Sequence, residues 1–185
     1  DGSSVEGFAR IEESDLRFIP DVDTLTVLPW EYKGIERVWR EAVVFGSIYN
    51  SAGEKYEGDT RTLLKDIMES YKEFGDLKCG AEIEFFIFEN DEAPLHTDEG
   101  GYFRSGLYGE IRKEAQLVLS EMGIKTEFDH HEVARSQHEI DLTHVDALKM
   151  ADSIILTKYV VKRIARKYGV YASFMPKPIA EINGN

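Results

Sequence analysis

Cysteine is nearly absent. Cys79 is the only one in 185 residues, so no internal disulfide can form and a zinc-type cysteine cluster is excluded. Proline is scarce too, with five residues, which argues against a disordered or collagen-like chain. No uninterrupted apolar run approaches the ~20 residues needed to span a bilayer. Basic residues are outnumbered: 22 Lys and Arg against 35 Asp and Glu leave a net charge of −13, which repels nucleic-acid phosphates and anionic lipid. The chain also lacks a phosphate-binding Gly-x-x-x-x-Gly-Lys-Ser/Thr loop, a Gly-x-Gly-x-x-Gly fingerprint and a Gly-x-Ser-x-Gly elbow. These absences set the expectations of a reducing, cytoplasmic location and of no nucleic-acid or membrane partner. What remains, 42% hydrophobic and 31% charged residues, suits a globular chain able to bury a real core.

Residues 1–56 carry short β-type runs, Thr24 to Leu28 and Ala42 to Tyr49, broken by Pro20, Pro29 and Gly34 and read as a small sheet. The Asp59-Thr60 pair before Leu63, Leu64, Ile67 and Met68 predicts a capped helix, which places a domain junction near residue 57. Beyond it the pattern predicts a strand at 79–88, a polar loop at 89–101, a helix near 106–122, strands near 125–133 and 136–142, a helix at 145–168 and a strand at 170–174. The last helix has Val145, Leu148, Ala151, Ile154, Ile155, Tyr159, Val160, Ile164 and Ala165 at roughly helical spacing. Its basic C-terminal half, Lys158, Lys162, Arg163, Arg166 and Lys167, reads first as a solvated face and second as an anion site. Elements of both kinds, with no fixed repeat, make the fold class α+β.

Chemistry concentrates in carboxylates. In Gly80-Ala81-Glu82-Ile83-Glu84-Phe85-Phe86-Ile87-Phe88, strand alternation puts Glu82 and Glu84 on the face of Phe86 and Phe88. A strand apolar on both faces is normally buried, and two buried carboxylates about 7 Å apart need protonation or cations. The bland alternative is a surface pair, since acid-x-acid arises by chance in so acidic a chain. A second segment, Glu127 to Leu142, reads as two strands joined by a turn at Arg135-Ser136, which brings Glu132 and Glu139 toward a common pole. Oxygen donors favour hard cations such as Mg²⁺ or Mn²⁺. Of the neighbours His130 and His131 at most one can join a given site, because adjacent strand residues face opposite ways. Cys79 is expected to pack rather than react.

At these residues the chain resembles glutamine synthetase, type I-like. The carrying segments run in family order: Asp1-Gly2-Ser3-Ser4, Ser14-Asp15-Leu16 with Pro20-Asp21, Gly80 to Phe86, Gly101-Tyr102-Phe103, His130-His131-Glu132-Val133-Ala134, Gln137-His138-Glu139, Phe174 to Pro178, and Asn183-Gly184. The resemblance implies an N-terminal β-grasp-type domain over 1–56, incomplete at its start. It implies over 57–185 the first part of an α/β catalytic domain with a curved antiparallel sheet. It further implies ATP-dependent joining of ammonia to L-glutamate through γ-glutamyl phosphate, in a ring-shaped homo-oligomer such as a dodecamer, with active sites shared between neighbouring subunits. Residue by residue, it puts Glu84, Glu132 and Glu139 on one Mg²⁺ or Mn²⁺ and Glu82 on a second that bridges ATP phosphates. Glu127 falls near the nucleotide, Asn183 and Gly184 at the loop holding glutamate, Tyr102 near the ammonium site, and Asp1 at the aspartate that binds and deprotonates ammonium.

The family pattern continues past Asn-Gly with a Ser/Thr-Gly-Met-His stretch, arginines, a further metal glutamate and a flap glutamate. Asn185 stands where Ser or Thr is usual. The expectations are therefore a natural chain longer than 185 residues and no glutamine synthesis by these residues alone. A ligase for another amine or a polyamine, and a short inactive paralogue that associates with full-length subunits, are the competing readings.

Overall fold

The structure, a computed structural model, describes Ser4, Gly7, Arg10, Ile11 and residues 15–185. Contacts within it divide the chain after Leu77, into Asp1–Leu77 and Lys78–Asn185, so the junction expected near residue 57 lies inside the first unit. Asp1 falls outside the described residues.

In the first unit β1 (Arg17–Pro20) pairs antiparallel with β4 (Gly46–Tyr49), and β2 (Thr26–Lys33) with β3 (Val38–Val43). The run Ala42 to Tyr49, expected as one strand, breaks at Val44-Phe45. The Phe45 backbone is taken up there: its N–H donates to Thr24 Oγ1 at 2.9 Å and its carbonyl accepts from the Asp21 N–H at 2.8 Å. Helix α1 (Thr60–Ser70) starts on Asp59, which accepts from the Arg61 N–H at 3.0 Å and from the Ile48 N–H of β4 at 2.9 Å. One buried carboxylate thus caps the helix and satisfies a strand amide.

The second unit is a four-stranded antiparallel sheet in the order β6, β7, β5, β8, built from β5 (Lys78–Phe88), β6 (Thr126–His131), β7 (Gln137–Asp146) and β8 (Tyr171–Ser173). Helices α2 (Gly109–Glu121) and α3 (Ala147–Lys167) pack against it. Ile83, Phe85 and Ile87 alternate with Glu82, Glu84, Phe86 and Phe88, and the register pairs put Ile140 with Ile83 and Glu139 with Glu84. At the far end of the carboxylate face, Phe86 and Phe88 are buried with Ala134, Tyr171, Ile179 and Ile182. The strand is therefore apolar and buried on both faces only in its second half, and Glu82, nearer its start, is exposed.

Helix α3 is capped by Asp146, which accepts from the Leu148 and Lys149 amides, and it ends at Gly169 with φ 75°. Its buried stripe is Met150, Ser153, Leu156, Thr157, Val160, Val161 and Ile164, whereas Ile155 is exposed, so the face is rotated from the one expected. Ser153 and Thr157 pass as core residues because their hydroxyls donate one turn back, to the Lys149 carbonyl at 2.7 Å and the Ser153 carbonyl at 2.8 Å. Lys158 and Lys162 lie over the Phe174 ring, and Lys167 pairs with Glu114 at 2.8 Å, which favours the bland reading of that basic cluster. Among the described residues no helix is long and apolar enough to cross a membrane.

The loop between β5 and α2 is fastened to the β6–β7 turn. Asp98 accepts from the Ser136 and Leu107 amides at 3.0 and 2.9 Å, Ser136 Oγ accepts from the Thr97 N–H at 2.8 Å, and Gly101 and Phe103 donate to the Glu132 and His131 carbonyls. Gly106 in this loop has φ 69°, and a Cβ there would stand 2.7 Å from the His131 ring and 2.8 Å from Asp98 Oδ2. Gly106→Ala is expected to lower stability by at least about 1 kcal/mol. Urea unfolding followed by circular dichroism checks it, and an unchanged midpoint would show that this part of the loop is free to shift.

Candidate metal centre

Three strands supply the site. Across β5, β7 and β6 the register aligns Glu84, Glu139 and His130 in one row, and Glu82 with Asp141 in the next. The turn at Ser136, whose φ of 62° reverses the chain, lets Glu132 follow β6 back over the same face. Glu84, Glu132 and Glu139 each present an oxygen within 4.8 Å of the others. Glu139 is buried and Glu84 and Glu132 are half-buried.

Electrostatics in this group are unfavourable to ionisation. Burial, followed by the neighbouring Asp141 and Glu132 carboxyls, pushes Glu139 up to about 9. Burial and then the Glu132 charge also push Glu84 up. Carboxylates gathered out of water with no cation among them bind protons instead, and a cation that replaces those protons meets an all-oxygen donor set suited to a hard divalent ion. The residues present therefore fit a hard divalent cation.

The surroundings order the group. Gln137 Nε2 donates to Glu84 Oε2 at 3.1 Å and to the Gly184 carbonyl at 2.9 Å, so the C-terminal segment is held beside the carboxylates. Asn183 is exposed. Tyr102 lies against His130, with ring centroids 4.8 Å apart, which sets its phenol near the acidic face. Burial and the charges of Glu132 and Glu139 raise its pKa. Glu127, at the irregularity between Thr126 and Asp129, faces His144 at 3.8 Å. Glu82, Glu127, Asp141 and His144 line an open pocket of about 310 Å³. Glu84, Glu132, Glu139, Gly184 and Tyr102 are thus gathered around one face. Glu82 and Glu127 meet at an adjoining pocket.

His130 and His131 diverge, as adjacent strand residues must. His130 faces Glu132 and Glu139, at 3.4 and 3.9 Å. His131 lies on the helix-covered side, pairs with Asp98 at 3.1 Å and bonds the Glu132 carbonyl at 2.7 Å. Beside it the buried Arg112 donates to His138 Nδ1, to Asp129 at 2.7 Å and to the Ser105 carbonyl at 3.1 Å. Burial and the Arg112 guanidinium depress His138 to about 3. Burial would raise Asp98, but its bonds from His131 and the Leu107 amide prevail and lower it to about 2. Asp98, His131 and His138 also bring donor atoms within 4.8 Å of one another. With Arg112 on His138 Nδ1, however, the ring proton sits on Nε2 and the guanidinium already supplies the positive charge. Asp98, Arg112, Asp129 and His138 were not singled out from the sequence; the Gln-His-Glu motif alone pointed at this network.

Residues 57–185 match the family model described as glutamine synthetase, catalytic domain, and residues 1–51 that described as glutamine synthetase, β-grasp domain. A glutamine synthetase of Clostridium saccharobutylicum is 44% identical over all of this chain and 43% of its own length. One of Staphylococcus aureus strain MW2 is 43% identical with the same coverage. The chain thus spans less than half the length of these curated relatives. Among solved structures, Plasmodium falciparum glutamine synthetase superposes with a TM-score of 0.82 at 26% identity, over 100% of this chain and 42% of the other. GmaS without ligand gives 0.82 at 26%, over 100% and 44%.

Proposed function

The chain belongs to the glutamine synthetase family, and on that premise we propose that it forms part of an ATP-dependent ligase making L-glutamine from L-glutamate and ammonia, in nitrogen assimilation. The observation that carries the proposal is the convergence of Glu84, Glu132 and Glu139 from two strands and a turn onto one point. In this reading these three hold one Mg²⁺ or Mn²⁺ beside the glutamate, and Glu82 serves a second next to the ATP phosphates. Such cations would draw charge off a transferring phosphoryl group during formation of γ-glutamyl phosphate. Glu127 contributes to the nucleotide side, Asn183 and Gly184 to holding glutamate, and Gln137 keeps Glu84 and the Gly184 carbonyl in register. Tyr102 flanks the ammonium position, and Asp1 of a neighbouring subunit attracts ammonium and accepts its proton.

The proposal includes a division of labour at residue 57, between a β-grasp-type domain and the first part of the catalytic domain. It includes a ring-shaped homo-oligomer working in the cytoplasm. The coverage of the relatives supports the further reading that these 185 residues need more of the family's length to turn over.

The test is ATP- and Mn²⁺-dependent γ-glutamyl hydroxamate formation, with intact mass measured under denaturing conditions. A polypeptide at 21.1 kDa is expected to be silent. A longer one containing these residues is expected to be active and to lose activity on Glu84→Ala. Activity indifferent to Glu84→Ala would overturn the proposal, and turnover with a polyamine in preference to ammonium would reassign the acceptor.

A further inference from the structure

Among the described residues, the two non-glycine positions with a left-handed backbone are Phe103, φ 63°, and Ser136, φ 62°. That conformation is costly for a residue with a side chain and persists only where surrounding bonds impose it. Both strained positions belong to one assembly, with Asp98 at its centre. The Asp98 side chain is 11% exposed, and its oxygens meet three segments. They accept from the Ser136 amide of the turn at 3.0 Å and from the Leu107 amide at the far end of the loop at 2.9 Å, and they lie 3.1 Å from His131 Nε2 on β6. The nine positions from Asp98 to Leu107 are thereby closed on a single carboxylate, with Tyr102 and Phe103 between them. Those two rings rest on His130, at centroid distances of 4.8 and 5.4 Å. A Cβ at Gly100 would collide with the Val133 carbonyl, so the loop runs in direct backbone contact with the turn.

Glu132 is where this assembly meets the carboxylate face. Its amide donates to the Gln137 carbonyl across the turn at 2.8 Å, its carbonyl accepts from the Gly101 amide of the loop at 3.2 Å, and its side chain turns to Glu84 and Glu139. A cation that fixes the Glu132 carboxylate therefore also fixes the main chain from which the loop hangs. Resting on the reading of Glu84, Glu132 and Glu139 as one cation position, we propose that Asp98 is a positioning residue that couples a cation at Glu132 to the order of the loop bearing Tyr102, each holding the other in place. Asp98 acts through Ser136 and His131, on the helix-covered side of β6, and stands outside the group of three glutamates. Its effect on them is that of an outer partner that orients a ligand without touching the ion.

The test is Mn²⁺ affinity together with trypsin cleavage after Arg104, for wild type, Asp98→Asn, Arg135→Ala and Glu84→Gln. Arg104 is exposed between the Phe103 and Leu107 anchors, so a cut after it reads release of this stretch. In wild type, saturating Mn²⁺ is expected to slow that cut about tenfold or more. Asp98→Asn keeps the side-chain volume but loses the charge and one acceptor oxygen. It is expected to bind Mn²⁺ about 10–100-fold more weakly and to lose the protection at Arg104. Coupling is reciprocal, so the two losses should match in size. Arg135→Ala removes the exposed pair with Glu99 that joins the same two segments, and should stay within about threefold of wild type on both readouts. Cuts after Lys125 and Lys167, also exposed, should keep their wild-type rates in Asp98→Asn. Their acceleration along with Arg104 would mean that Asp98 supports the whole unit, and the inference would fall. Wild type unprotected by Mn²⁺, Asp98→Asn binding as tightly as wild type, or Arg135→Ala costing as much as Asp98→Asn would also overturn it and leave the cation position standing. Glu84→Gln binding Mn²⁺ as tightly as wild type would instead overturn the reading of that position.

Discussion

Mn²⁺ affinity is expected to climb about tenfold for each pH unit between 6 and 8, and to fall at least about 100-fold at pH 8 in Glu139→Gln, with most of the pH dependence gone. The sign follows from Glu139, whose carboxyl burial and neighbouring acids push up to about 9. At neutral pH the cation-free chain holds a proton on Glu139, and a cation must displace it, so raising the pH removes its competitor. The same shift has a stability counterpart. A carboxyl whose folded pKa lies above its unfolded value of 4.5 contributes stability that is complete below 4.5 and is lost as pH rises through about 9. In EDTA the melting temperature should therefore fall between pH 6 and 9, and the gain on adding Mn²⁺ should grow over that interval. Calorimetry in two buffers of different ionisation enthalpy reads the proton directly, as about one released per ion near pH 7. Affinity flat with pH in the wild type would show that Glu139 carries no proton for the cation to displace.

How far the site could be read from the letters depends on the range of the interactions that make it. Glu84, Glu132 and Glu139 were legible because each step is local: strand alternation sets the face of Glu84, and a single turn at Arg135-Ser136 returns β7 beside β6 with Glu139 opposite His130. The divergence of His130 and His131 follows from the same period of two. The depth of each carboxylate was not legible. Glu82 and Glu84 both flank Ile83 on the same face of the strand, but Glu82 is exposed, because the residues packed on Phe86 and Phe88 cover only the strand's second half. The buried face of α3 was misread for a related reason: Ser153 and Thr157 count as polar in a periodic pattern, but their hydroxyls are satisfied within the helix, so they can face the core. The Asp98, Arg112 and His138 network carries no signal at any fixed spacing. Its partners come from a loop, a helix and a strand, and the bond from Arg112 to His138 spans 26 positions. Only the folded sheet brings them together.

Arg112→Ala is expected to be the most destabilising single change in the second unit, at about 3–5 kcal/mol. A loss of that size corresponds to a fall of about 10–20 °C in melting temperature for a unit of this size. Arg112 is 4% exposed and its guanidinium serves three elements at once: Asp129 on β6, His138 on β7 and the Ser105 carbonyl in the loop leading to α2. Alanine leaves the Asp129 carboxylate, 3% exposed, with Lys113 alone, and that lysine is 68% exposed and reaches in from solvent. It also strips His138 of its Nδ1 partner, next in sequence to Glu139. The loss is an uncompensated buried charge more than a missing attraction, which sets the order of the variants: Asp129→Asn in the Arg112→Ala background should recover part of the stability, although by itself it removes a salt bridge. The acid limb gives a second reading. Burial opposes ionisation of Asp129, but Lys113 and Arg112 outweigh it and hold the carboxyl below its usual 3.8. The stability this lends is present above 3.8 and lost as pH falls through the lowered value. In Arg112→Ala that acid-induced loss should shrink, because part of what held the proton off is gone. Thermal melts of the two single variants and the double, at pH 7 and pH 3, measure both effects. A coupling below about 0.5 kcal/mol between the two positions would show that the guanidinium acts there as packing and not as charge.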